Sequence, residues 1–200
     1  MPIVATGVQA PLETISLDLI MDLPTSQGYD SILTIVDHSC SKAAIFLPCH
    51  KNIDTAGVAG LYSTWVFPFY GILKQIISDR DPQFTAQFIQ QLCTTLGINQ
   101  NLSMAYHPQT DGQSERANQQ VEQYLQIYGN EEKNNWANLL PLAQFIHNSW
   151  RNESIRATPF DLLIGHTPTI QVHNGEMSIP ELMWRREWLE RGRLHAQAAL

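Results

Sequence analysis

Three short runs of β-branched and apolar residues follow one another in the first fifty positions: TISLDLIMD (14–22), SILTIVD (31–37) and KAAIFLP (42–48). No other feature constrains the fold as strongly. Leu23-Pro24 closes the first run with turn chemistry and Gly28 opens the second. The second and third are separated by only four polar or small residues, as in an antiparallel hairpin. The three together predict a β-meander at the start of the chain.

After the meander the hydrophobic period lengthens from two to between three and four. Asp54 or Thr55 can cap a helix that carries Val58, Leu61, Tyr62 and Trp65 and stops at Gly71. KQIISD (74–79) is then a short run with an unbroken apolar centre, the pattern of a strand covered on both faces, as in parallel sheets. Thr85 can cap a second helix, with Phe88, Leu92 and Leu96 on one stripe and Gly97 at its end. A short apolar segment, NLSMAY, leads into the turn-rich loop HPQTDGQ, and Gln113 or Ser114 begins a third helix through Ala117, Val121, Tyr124 and Leu125. WANLLPLAQFIHNSW (136–150) reads as a buried helix with Pro141 near its first turns or at a kink. Trp65, Trp136 and Trp150 all sit in apolar helical patterns and read as core. Strands first and helices alternating afterwards imply an α/β fold, a mixed sheet flanked by helices.

Two hundred residues suffice for one domain with a substantial core. No apolar stretch approaches the ~18–20 residues of a membrane-spanning helix, and the first residues lack the basic and apolar regions of a signal peptide. Cys40, Cys49 and Cys93 are odd in number and have no C-x-x-C spacing, so they read as reduced thiols rather than as a disulfide framework or zinc site. The formal net charge is -7, whereas affinity for nucleic acid comes largely from Lys and Arg at phosphates. That deficit lies in residues 1–150, because residues 151–200 hold six arginines and six acids. An acidic first part suits a cation site or solubility equally well.

Three acids stand out by position: Asp18 inside the first strand pattern, Asp79 at the end of another, and Glu115 in the first turn of a helix. Strand ends and helix starts are where α/β folds gather their active sites. A group of carboxylates ionises together only beside a cation, and oxygen ligands select Mg²⁺ or Mn²⁺. Two such ions about 3.5–4 Å apart can activate an attacking oxygen and stabilise a leaving one in phosphoryl transfer. The same positions also suit solvated caps and helix-dipole partners, and spacing alone leaves both readings open.

The wording around these acids is more specific. ISDRDPQFTAQF is followed by YHPQTDGQSERANQQVEQYL, with thirty-five residues between Asp79 and Glu115. ETISLDLIMDLP precedes them and NNWANLLPLAQFIHNSWRNESIRATPFDLLIGHTP follows. In this order the segments resemble the integrase catalytic core of gypsy-like long-terminal-repeat retrotransposons, from about Glu13 to about Thr169. The resemblance implies a ribonuclease-H-like fold with a mixed five-stranded sheet flanked by helices. It also implies that Asp18, Asp79 and Glu115 are the catalytic residues and ligate two Mg²⁺ (or Mn²⁺) ions. The implied reactions are trimming of the element's 3′ ends and joining of the new 3′-hydroxyl to target DNA.

It further implies element-end and target DNA as partners, homo-oligomeric assembly, and action in the nucleus after a cytoplasmic stage, with flanking domains supplied by a polyprotein. The expected organisation is an N-terminal extension (1–12), the core (13–170), and a connector with an amphipathic C-terminal helix (171–200). Candidate nucleic-acid contacts are His107, Gln109 and Asp111 in the loop before Glu115, and Asn118 and Gln119 on the helix face of Glu115. A histidine such as His107 more often braces its loop by a hydrogen bond than acts directly. Glu122 lies one turn further along that face and Arg80 and Arg116 flank the acids, while Asp22, Asp37 and Asp81 are further acids near strand ends, of which Asp81, before Pro82 in a turn, reads as structural. Two alternatives share these residues: a nuclease of the same fold that only hydrolyses, and an inactive or domesticated copy acting as a nucleic-acid-binding or oligomerisation module.

Overall fold

The structure is a computed structural model that describes residues 10–77, 82–97, 105–107 and 112–168. Those up to Thr167 belong to one compact unit. β1 (Thr14–Ile20), β2 (Ser31–Asp37) and β3 (Ala44–Cys49) form the expected antiparallel meander, with Asp18 opposite Thr34 and Thr34 opposite Phe46. β4 (Gln75–Ile77) joins the other side of β1 in parallel, Ser16 facing Ile77, and the three-residue β5 (Ala105–His107) adds to its edge. The strand order is β3-β2-β1-β4-β5, a mixed sheet.

The period-two pattern divides the sheet into two faces. Ile15 and Leu17, Leu33 and Ile35, and Ile45 and Leu47 point to one side. There they form the main core with Val58 and Tyr62 of α1 (Thr55–Trp65) and Phe88 and Leu92 of α3 (Pro82–Leu96). Ser16, Asp18, Thr34 and Val36 belong to the other side, which is covered by α4 (Gly112–Tyr128) and α5 (Trp136–Ser149). All seven residues of β2 are buried because helices cover it on both faces.

Two expectations fail for local reasons. Trp65 is 56% exposed, although it carries the helical period of the core residues. α1 ends there, Val66, four residues after the buried Tyr62, takes the fully buried place, and a short helix α2 (Phe67–Tyr70) follows. Gly71 closes α2 at φ +75, a conformation costly for residues with a Cβ. Thr85 is not a cap: α3 already begins at Pro82, whose ring fixes φ for a first helical position, so Thr85 lies inside the helix with its hydroxyl buried.

α5 also protects the outer edge of the sheet, where an unpaired strand would invite further pairing. The buried Asn148 side chain accepts from Ala44 N and donates to Ala44 O, both at 2.9 Å. One turn earlier, Gln144 Oε1 accepts from Phe46 N at 3.1 Å. Two side-chain amides thus imitate the missing strand. α6 (Pro159–Ile164) then packs on α5 and is closed at its start by a reciprocal capping box between Thr158 and Asp161.

Candidate active site

β1 and α4 are joined by two side-chain rungs. Ser16 Oγ and Ser114 Oγ lie 2.6 Å apart, and Asn118 Nδ2 donates to Asp18 Oδ2 at 2.7 Å. The spacing explains why both rungs form together. Two residues of strand advance ~6.6 Å and four residues of helix advance ~6 Å, so Ser16 and Asp18 match Ser114 and Asn118 in step. Asp18 Oδ1 also accepts from Leu19 N at 2.7 Å, which fixes the carboxylate at both oxygens.

Glu115 follows Ser114 in the first turn of α4 and is exposed. It lies three residues before Asn118, and residues so spaced are neighbours on a helix surface. The side chain that holds Asp18 therefore adjoins Glu115. The structure thus puts two of the three predicted acids on adjoining elements, Asp18 anchored on the strand and Glu115 exposed on the helix. Asp79, the third, lies outside the described residues, as do Gln109 and Asp111. The described part of β4 ends at Ile77, level with Ser16. Among the described residues, which lack Asp79, no three His, Cys, Asp or Glu side chains group as a metal site.

The remaining candidates separate. His107 ends β5, paired with Ile77. Gln119 and Glu122 are exposed on α4. Asn118 has a more definite place than its sequence position suggested: its amide nitrogen is committed to Asp18, and its Oδ1 is buried without a hydrogen-bond partner among the described residues. Asp37 is fully buried at the end of β2 and accepts from Ser39 N at 2.7 Å and from Ser41 N at 2.9 Å. It shapes the 38–41 turn. Asp22 pairs with Lys51 at 3.1 Å on the surface. Cys40, Cys49 and Cys93 are free thiols, and burial pushes the Cys40 thiol up from its ordinary range.

This arrangement of a mixed sheet flanked by helices occurs in integrase catalytic cores. The HTLV-2 integrase catalytic core solved with magnesium superposes with a TM-score of 0.54 over 77% of this chain and 97% of its own, at 18% identity. The integrase of a simian T-cell lymphotropic virus intasome, in complex with the PP2A regulatory subunit B56 gamma, gives 0.58 over 85% and 60%, at 17% identity. The fold is therefore that of an integrase catalytic core.

In sequence the chain is homologous to a retrotransposon polyprotein. It is 34% identical over 162 residues, 81% of its length, to the Transposon Tf2-3 polyprotein of Schizosaccharomyces pombe (strain 972 / ATCC 24843). The matched segment is 12% of that polyprotein. No family model matches the chain.

Proposed function

We propose that this chain is the catalytic core of a retrotransposon integrase, which cleaves a phosphodiester near the 3′ end of the element's DNA and joins the new end to target DNA. The observation that carries this reading is the Asp18–Asn118 hydrogen bond, which ties the central strand to the helix whose first turn carries Glu115. Asp18, Glu115 and Asp79 would hold two Mg²⁺ or Mn²⁺ ions. The donor set fits: carboxylate oxygens are the ligands these cations prefer, and the buried Asn118 Oδ1, unpartnered among the described residues, adds an acceptor next to Asp18. Bound there, the ions would polarise the scissile phosphate and lower the pKa of an attacking water or hydroxyl.

The protein's own contribution is positioning. Asp18 is fixed by Leu19 N and Asn118 Nδ2, whereas Glu115 is exposed in the first turn of α4 and free to adjust as substrate enters. His107, Gln109, Asp111 and Gln119 are the proposed contacts to the DNA backbone, and Asn118 reaches it only alongside its bond to Asp18. Nuclear action on element-end and target DNA and assembly into homo-oligomers belong to the same proposal. The intasome among the structural neighbours supports the DNA and assembly parts.

The test is end trimming and strand transfer on a labelled DNA duplex with Mn²⁺, comparing the parent with Asp79→Asn and Glu115→Gln. Joined product from the parent and from neither variant is the expected result. Trimming without joining would instead make the chain a nuclease of this fold. No product, together with no Mn²⁺ binding that depends on the acids, would make it an inactive relative.

A further inference from the structure

The helical turn of 100° per residue puts Gln113, Arg116 and Gln120 on a face of α4 away from Glu115. Against that face, α5 and the chain that leaves it enclose a cavity of about 590 Å³, lined among others by Lys42, Arg116, His147, Trp150, Arg151 and Glu153. Its charge runs against that of the whole chain. Three cations face one carboxylate here, in a protein whose formal net charge is -7. Neither the Arg116 nor the Arg151 guanidinium has an ion-pair or hydrogen-bond partner among the described residues. Two exposed guanidiniums lining one concave surface, with no acid paired to either among the described residues, favour an anion between them.

The walls are ordered by contacts that leave these cations free. His147 Nδ1 is 2.7 Å from Gln120 Oε1, tying α5 to α4, and the His147 ring meets Phe46 edge-on. Lys42 Nζ donates to His38 O at 3.0 Å, which fixes its stem at the cavity's rim and leaves further ammonium protons for a ligand.

We propose that this cavity is a phosphate-binding pocket for the backbone of a nucleic acid, with Lys42, Arg116 and Arg151 as the phosphate ligands and Trp150 as a wall against which a base or sugar packs. The proposal rests on the integrase reading for the identity of the nucleic acid. Guanidinium forks match phosphate oxygens two at a time, and an aromatic wall beside cations is how protein surfaces hold single strands. α4 is about 10–12 Å across with its side chains, and a DNA strand carries one charge per 3.4 Å. A strand engaged at Glu115 thus needs about three further phosphates to reach the pocket. α4 becomes a ridge with chemistry on one flank and an anchoring site on the other.

The experiment is fluorescence anisotropy of the full chain with a 5′-labelled DNA duplex and the same single strand, in EDTA, over a series of KCl concentrations. The parent is compared with Arg116→Ala, with Lys42→Ala/Arg151→Ala, and with Lys51→Ala as a control for a cation already paired with Asp22. The expected result is that the slope of log affinity against log salt falls by about 1 for each pocket cation removed, for any DNA sequence. Lys51→Ala should keep the parent's slope, and all variants its thermal unfolding curve. Pocket variants with the parent's slope overturn the proposal, as does a parent that fails to bind DNA in EDTA. Weakened self-association in sedimentation velocity at an unchanged DNA slope overturns it too, assigning the pocket to an acidic segment of a second copy. Strand transfer in Mn²⁺ decides the integrase reading separately, because it reads the carboxylates and not the pocket.

Discussion

Asn118 of α4 and Asp18 of β1, a hundred residues apart in sequence, share a 2.7 Å hydrogen bond in which the amide donates and the carboxylate accepts. Asn118 is thereby a positioning residue for Asp18. Asn118→Ala removes the donor and frees the carboxylate to rotate. Substitutions one step removed from a metal ligand typically cost about 10- to 100-fold in activity or metal affinity. Strand transfer by Asn118→Ala should fall within that range, with a matching rise in the Mn²⁺ concentration for half-maximal rate. Wild-type Mn²⁺ dependence in that variant would show that the rung is structural only.

The neighbouring rung makes a different prediction. Ser16 and Ser114 are both buried, and truncating either removes the hydrogen bond they share. Ser16→Ala or Ser114→Ala should each cost about 1–3 kcal/mol, while replacing both costs less than the sum, because the shared hydrogen bond is lost only once. Urea unfolding of the four proteins measures the coupling. Strictly additive losses would mean that the hydroxyls do not support each other.

Much of this architecture is readable from local pattern, and its failures have local causes. β2 spans the residues expected of it because apolar and β-branched residues fill the run and turn formers bound it. Asp54 caps α1 as expected, its Oδ1 accepting from Gly57 N at 2.8 Å. Trp65 satisfies the period but not the burial, since the buried stripe of α1 runs through Val58, Ala59 and Tyr62 to Val66 and leaves Trp65 at its margin. α6 was open to reading from Thr158, Pro159, Asp161 and Gly165, a capping box followed by a left-handed stop, but it shows too few apolar repeats to stand out by period. The partners of Asn118, Gln144 and Asn148 are invisible locally, because each bond crosses about a hundred residues and depends on how α4 and α5 settle on the sheet. The same holds for the cavity behind α4, whose three cations come from three separate segments.

Burial lowers the pKa of His147, a backbone contact to Lys42 O opposing the shift in part. A depressed pKa means that the folded state resists a proton that the unfolded chain accepts. The neutral ring's contribution is therefore fully present above the ordinary value of 6.5 and declines as the pH falls from there toward the folded-state pKa. Thermal unfolding midpoints should fall below pH 6.5 in the parent and fall less in His147→Gln, which has no titrating ring. Identical pH profiles would place the acid sensitivity elsewhere.

Asn148 carries the most distinctive stability prediction. Its side chain satisfies both the N–H and the C=O of Ala44 on the outer strand. Asn148→Leu keeps approximate volume but abandons two buried backbone groups, each worth about 1–3 kcal/mol when left unsatisfied. It also uncovers the edge of β3. The variant should therefore be destabilised by at least about 2 kcal/mol and should aggregate from partly unfolded states faster than its stability alone explains, since an exposed edge recruits other strands. Urea unfolding gives the first quantity, and light scattering at a matched fraction unfolded gives the second. A stability loss with no excess aggregation would mean that the amide braces α5 on the sheet without guarding its edge.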